Sequence, residues 1–271
     1  MRQCPSCGSQ EKVDLSEYSK ANWVISRCLN CSMVYLVNPP LQSTLFDEYA
    51  WEDTSSQERI RRRENRKFYY FFSDGLKKLK NFLRSFFKYT KEINYVLKYA
   101  HGFNILDIGA ADGKILDVLP APYIPYGIEP SPTLQQICHE KYEQKGGFCI
   151  KDVAISGLEN VSISFDFVLM RSFLEHDSEM FSTLESVFRR LSETGGVLIK
   201  VPNFDCWNAK LRKSGWPGMR YPDHVNYFTP LTLKSTLQRV GFEEVYMPFH
   251  WRLPTSDNVW ALAYKTKHRK P

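Results

Sequence analysis

Apolar residues along the chain change their spacing three times. Up to residue 37, short apolar runs separate two pairs of cysteines. Between residues 51 and 101, Leu76, Leu79, Leu83, Phe86, Thr90, Ile93 and Leu97 recur every three or four positions. Lys77, Lys78, Lys80, Arg84, Lys88, Lys91 and Lys98 fill the other faces. That spacing predicts an amphipathic helical segment. From residue 103 the pattern becomes strand, turn and helix in alternation, which predicts an α/β fold. Strands are expected at 103–108, 123–128, 147–150, 165–170, 196–201, 245–249 and 259–264. Helices are expected at 112–119, 132–142, 178–191 and 231–240. Pro39 and Pro40 suit neither helix interior nor central strand, so a linker is expected from residue 38. The chain divides into residues 1–37, 38–101 and 102–271.

Composition narrows the class. With 271 residues and 43% hydrophobic content, the chain can bury a sizeable core. The uncharged stretch 118–128 is short and holds three prolines, and no run reaches the roughly 18 apolar residues of a membrane span. The first twelve residues carry no apolar signal core, so a cytoplasmic location is expected. In that setting seven cysteines point to thiols and metal rather than disulfides. The net charge of +6 is concentrated in residues 51–100, which hold 13 Lys/Arg against 6 Asp/Glu. This segment is expected to pack its apolar stripe on the α/β domain. Its basic residues across 59–98 also offer a surface for phosphates of a membrane, a nucleotide-linked substrate or a nucleic acid.

Cys4-Pro-Ser-Cys7 and Cys28-Leu-Asn-Cys31 give the spacing C-x2-C-x20-C-x2-C. Two such turns aim four thiolates at one tetrahedral point, the arrangement Zn²⁺ prefers. Four thiolates leave no open position, so Zn²⁺ here is structural and residues 1–37 read as a zinc ribbon. Cys138, Cys149 and Cys206 are expected to be core or incidental cysteines.

The segment from Ile105 to Lys114 is an apolar strand entering a turn of small residues, Gly109, Ala111 and Gly113. Small residues let backbone approach a ligand, and a following helix N-terminus favours a negative group. Glu129 ends the second strand, where a carboxylate can accept both hydroxyls of a ribose. Asp152 follows the third strand, placed to accept from an adenine amino group. With Asp107, Glu129, Asp152, the stretch SFDFVLMRSFLEH and the strand GGVLIKVPN in this order, residues 103–264 resemble the class I S-adenosylmethionine-dependent methyltransferases. The resemblance implies a Rossmann-like seven-stranded sheet whose last strand, here DNVWALAYK, runs antiparallel. It implies S-adenosyl-L-methionine as cofactor, held by Asp107, Gly109, Ala111, Gly113, Glu129, Asp152 and Met170. Ala111 departs from the pattern, because many members have glycine there.

The acceptor end is expected at the carboxyl ends of the strands. Glu175 and His176 follow the fourth strand, positioned either to orient substrate or move a proton, or to cap the next helix. The connection from Asn203 to Thr229 is 27 residues long, more than packing requires. Its aromatic residues, Trp207, Trp216, Tyr221, Tyr227 and Phe228, are expected to wall a ring, and Lys210, Arg212, Lys213 and Arg220 to grip an anion. Within it, Tyr221-Pro222-Asp223-His224-Val225-Asn226-Tyr227-Phe228-Thr229 resembles a stretch of the sugar C-methyltransferases, which also begin with a four-cysteine zinc module. That resemblance implies His224 as a base near the ordinary histidine pKa of about 6.5, flanked by Tyr221 and Asp223. Pro222 replaces the first histidine of the motif, and the further carboxy-terminal domain of those enzymes is not expected in this chain. The expected activity is methyl transfer from S-adenosylmethionine to a small acceptor, anionic, sugar-containing or nucleotide-linked. The alternatives are an RNA methyltransferase and a non-catalytic cofactor-binding module.

Overall fold

The structure is a computed structural model that describes residues 1–41 and 89–267. A seven-stranded sheet forms from β4 (Asn104–Ile108), β5 (Ile124–Ile128), β6 (Phe148–Ile150), β7 (Phe165–Arg171), β8 (Leu191–Pro202), β10 (Glu244–Tyr246) and β11 (Asn258–Tyr264), in the order β10-β11-β8-β7-β4-β5-β6. Strands β6, β5, β4, β7 and β8 run parallel, while β11 is antiparallel to both β8 and β10. A parallel sheet covered on both faces needs near-continuous apolar strands. β7 meets this requirement, since Phe165, Phe167, Val168, Leu169 and Met170 are all buried. Each such side chain contributes about 1.5–3 kcal/mol on leaving water.

Helices α1 (Lys91–Tyr99) and α2 (Pro132–Glu143) cover one face, where Ile93, Val96, Cys138 and Tyr142 meet Ile105, Phe167 and Leu198. The other face takes α3 (Ala154–Glu159), α4 (Met180–Arg190) and α6 (Pro230–Val240). There Leu158, Leu184, Val187, Leu233 and Leu237 pack on Leu106, Val168, Val197 and Ile199. Helix α6 is bounded by its own residues: Thr229 and Thr232 make a reciprocal cap, Pro230 starts the first turn and Gly241 ends it at φ 120°.

Two expectations change. Residues 112–119 form only a 3₁₀ turn at Leu116–Val118 and no α-helix. Left-handed φ at Ala111 (49°) and Gly113 (73°) turns the chain too sharply for a helix to start. The short helix α3 was not anticipated, because six residues give no readable periodicity. Of the amphipathic segment, α1 falls within the described residues, with Thr90 capping Ile93 N. Leu76, Leu79, Leu83, Phe86 and the basic run from Arg59 lie outside them.

The N-terminal sheet is β1 (Lys12–Asp14), β2 (Ile25–Cys28) and β3 (Val34–Leu36), completed by β9 (Asn226–Tyr227) from the long connection. All pairs are antiparallel, and Val34 and Tyr35 of β3 face Tyr227 and Asn226. Cys4, Cys28, Met33 and Tyr35 belong to the same core as Phe228 and Leu233 of the large domain.

Candidate active site

Strand β4 delivers Asp107 and the small-residue turn to the carboxyl edge of the sheet. Gly109 and Gly113 adopt φ of 74° and 73°. At Gly113 an added methyl would meet Cys138 Sγ and Tyr142 Cε1 at 3.0 Å, so glycine there lets α2 pack closely. Ala111 takes the same left-handed conformation with a Cβ, which ordinarily costs about 1–2 kcal/mol. Glu129 compensates: its Oε2 accepts from Ala111 N at 2.9 Å and its Oε1 from Ser131 N at 3.0 Å. The turn is thus held by a buried carboxylate, where the sequence reading expected a helix N-terminus.

Asp107 is buried, and its carboxyl is pushed up to about 7. Burial is the main cause; the Arg171 guanidinium opposes it, and Glu129 and Glu92 add repulsion. Glu92 of α1 is 3.5 Å from Arg171, a pair not anticipated from the sequence. Asp152 turns its carboxylate back on α3, accepting from Val153 N at 2.8 Å, Ser156 Oγ at 2.8 Å and Asn160 Nδ2 at 3.3 Å. The Met170 side chain, expected at the cofactor, is wholly buried in the core behind the strand end.

At the end of β7 the chain turns through Ser172 (φ 53°) to Glu175 and His176. The connection after β8 folds over them. Val225 N and Asn226 N both donate to Glu175 O, at 2.7 and 3.2 Å. Asn226 Nδ2 donates to Leu174 O at 2.7 Å and to Asp177 O at 2.6 Å. These bonds bring Asp223 and His224 onto the preceding strand end. His176 Nδ1 lies 2.7 Å from Asp223 Oδ1, and Arg220 Nη2 lies 2.6 Å from Asp223 Oδ2. The His176 and His224 rings meet edge to face, with centroids 4.6 Å apart and planes at 89°. A cleft of about 250 Å³ opens over this group, lined also by Trp216, Pro217 and Asp257.

The two histidines are set apart electrostatically. Burial would lower His176, but the Asp223 carboxylate outweighs it and raises the imidazole above its ordinary value. Burial and the neighbouring His176 hold His224 well below the ordinary value that the sequence reading assigned. Its Nδ1 faces Gly218 O at 2.8 Å, and a carbonyl only accepts, so Nδ1 carries the proton. Burial raises the Asp223 carboxyl, but His176 and Arg220 prevail and bring it to about 2. Burial pushes Glu175 upward.

The aromatic residues divide differently from expectation. Only Trp216 lines the cleft, with Nε1 3.4 Å from Asp257 Oδ1. Tyr227 and Phe228 are buried between the N-terminal sheet and the large one, and Trp207 is exposed. Tyr221 is turned away from His224, its hydroxyl donating to Tyr18 O. Lys210 and Lys213 pair with Asp205 and Glu17, leaving Arg220 as the basic residue of this connection that lines the cleft.

The four thiols of Cys4, Cys7, Cys28 and Cys31 lie within 4.8 Å of one another. Cys4 Sγ is 3.5 Å from Cys31 Sγ, and Cys7 Sγ is 3.5 Å from Cys28 Sγ. Tetrahedral Zn–S bonds of about 2.3 Å place sulfurs about 3.8 Å apart, so the set fits this ion. The Cys4 thiol, then the Met33 backbone N–H and Arg239, hold Cys31 low against burial, at about 4. Cys138 and Cys149 are buried between α2 and β6, and Cys206 caps helix α5 (Trp207–Arg212).

A family model for the methyltransferase domain matches residues 58–246. The chain belongs to that family. It has an α/β fold with a mostly parallel seven-stranded sheet. A tRNA U34 carboxymethyltransferase from Aliarcobacter butzleri is 30% identical over 153 residues, covering 52% of this chain and 47% of that protein. The chain thus spans about half the length of this curated relative. Among solved structures, an S-adenosylmethionine-dependent methyltransferase from Archaeoglobus fulgidus is 18% identical, with a TM-score of 0.53, over 73% of this chain and 100% of that one. The plantazolicin methyltransferase BamL, solved with a triazolic desmethylPZN analog and SAH, is 12% identical with a TM-score of 0.53, covering 83% of this chain and 97% of that one. At these identities the likeness is one of fold. No helix among the described residues is long and apolar enough to cross a membrane.

Proposed function

We propose that this methyltransferase acts on a small, sugar-containing or nucleotide-linked acceptor bound in the cleft over His176 and His224. Asp107, Glu129, Asp152 and the turn from Gly109 to Gly113 hold the cofactor, and the ribbon cysteines hold a structural Zn²⁺. The donor set suits S-adenosylmethionine, because buried Asp107 and Glu129 present negative charge to a cation and hydrogen-bond acceptors to a ribose. When bound, the cofactor supplies the methyl group from its sulfonium. The protein's part is alignment, exclusion of water and lowering the cost of removing the acceptor's proton.

The observation that carries this reading is the cluster of Glu175, His176, Asp223 and His224 beneath a cleft of about 250 Å³. That volume suits one ring or sugar, with Trp216 as a wall and Arg220 at its rim. A panel of sugar nucleotides, incubated with S-adenosylmethionine labelled in its methyl group, tests it directly. Label is expected in at least one sugar compound; label confined to tRNA would overturn the acceptor class. The RNA reading draws support from the tRNA-modifying relative and from the basic residues between 59 and 98. Steeply salt-dependent tRNA binding would favour it.

A further inference from the structure

We propose that Glu175, His176 and His224 form a second metal site, a two-histidine, one-carboxylate centre for a divalent cation on the floor of the acceptor cleft. This rests on the reading of that cleft as the acceptor site and names how the acceptor is activated. The ligand atoms of the three residues lie within 4.8 Å of one another. Glu175 is 1% exposed; one carboxylate oxygen takes its own backbone N–H, and Oε2 has no hydrogen-bond partner among the described residues. A buried carboxylate oxygen left bare is costly unless a cation meets it.

The surroundings of the histidines point the same way. A ligating histidine characteristically donates its other ring N–H to a carboxylate or carbonyl, which fixes tautomer and orientation. Both rings are held so: His176 Nδ1 by Asp223 Oδ1 at 2.7 Å, and His224 Nδ1 by Gly218 O at 2.8 Å. Nε2 is then the lone pair each ring can offer. Arg220, 2.6 Å from Asp223 Oδ2, fixes the outer carboxylate in turn. Imidazole with one carboxylate suits borderline ions such as those from manganese to zinc, and three protein ligands leave positions open. The acceptor class that fills them carries adjacent oxygen donors, as vicinal sugar hydroxyls do. Coordination lowers the pKa of a bound hydroxyl, whose proton passes to solvent.

The test uses the purified full chain and Co²⁺, followed by calorimetry and visible absorption. Expected is one equivalent per chain with weak d–d bands and no thiolate charge-transfer, a signal that persists in Cys4→Ser. Glu175→Gln should abolish it. Asp223→Asn, which keeps the three ligands, should weaken Co²⁺ binding by about 10- to 100-fold. The proposal is overturned if Co²⁺ gives only thiolate bands lost in Cys4→Ser, or if both cleft variants bind it as the parent does. S-adenosylmethionine titrated into the same samples separates the two readings: cofactor binding without this Co²⁺ signal removes the metal site alone.

Discussion

Arg2 Nη2 lies 3.0 Å from Asn226 Oδ1, joining the start of the N-terminal sheet to the segment that carries Asp223 and His224. The same guanidinium donates to Leu36 O at 2.9 Å, to Ser178 O at 3.2 Å and to Val225 O. Asn226 in turn donates to Leu174 O and Asp177 O, on either side of Glu175 and His176. Burial lowers Arg2 to about 10, so it stays charged at neutral pH.

Arg2→Ala should therefore unfasten both active-site segments. Charge-assisted bonds contribute about 1.5–3 kcal/mol each, so a loss of at least about 3 kcal/mol is expected. For a domain of this size that is a fall of roughly 6–12 °C in thermal midpoint. Arg2→Lys should recover little, because a single ammonium cannot reproduce the planar fork. A variant as stable as the parent would show that the network is incidental.

Zinc removal should act on turnover before cofactor binding. Strand β3 carries β9 in its sheet, and β9 begins two residues after His224. A ribbon without metal loses the fixed end of that sheet. Chelation, or Cys31→Ser, should lower metal content, thermal midpoint and turnover while S-adenosylmethionine affinity changes little. An equally stable and active metal-free chain would remove zinc from the account.

Glu129→Ala should fail in two ways at once. It strips Ala111 N and Ser131 N of their acceptor and, in the proposed cofactor site, removes the acceptor offered to the ribose. Affinity for S-adenosylmethionine should fall roughly 10- to 150-fold, corresponding to about 1.5–3 kcal/mol. The ligand-free chain should also melt earlier, since Ala111 is then unsupported in its left-handed conformation. Calorimetry giving an unchanged dissociation constant would place the ribose elsewhere.

The pH dependence of cofactor binding should report Asp107. Its carboxyl titrates at about 7, and a cationic ligand favours the ionised form. Below that value binding must displace a proton, so affinity should weaken by up to tenfold per unit as pH falls from about 7 to 5.5. For folding of the ligand-free chain the sign is opposite. Between about 4 and 7 the unfolded chain has lost a proton that the folded chain keeps, so this group's contribution declines as pH rises. Asp107→Asn should remove the pH limb of binding along with most of the affinity. A limb surviving in that variant would assign it to another group.

Much of the fold was legible because periodicity is local. From residue 103 the alternation of strand, turn and helix alone predicts an α/β sheet, and the strands expected near β4, β5, β7 and β8 are there. The turn of Gly109, Ala111 and Gly113 and the strand-end Glu129 could be located by spacing, though not the bond by which Glu129 holds Ala111 N. The missing helix at 112–119 shows the limit. Propensity favoured it, while two left-handed residues and the close approach of Cys138 and Tyr142 excluded it.

The amino-acid sequence by itself determined the alternation of strands and helices, the spacing of four cysteines and the types of residue gathered near the strand ends. Those are properties of neighbours along the chain. Only the tertiary structure decided that Arg2 reaches Asn226 across 224 positions, that Tyr221 turns from the cleft, and that His176 rather than His224 receives the carboxylate. Such contacts depend on how β9 docks against β3. They also set the two imidazoles on opposite sides of their ordinary pKa, because burial and a partner's charge act through space and leave no trace in local spacing.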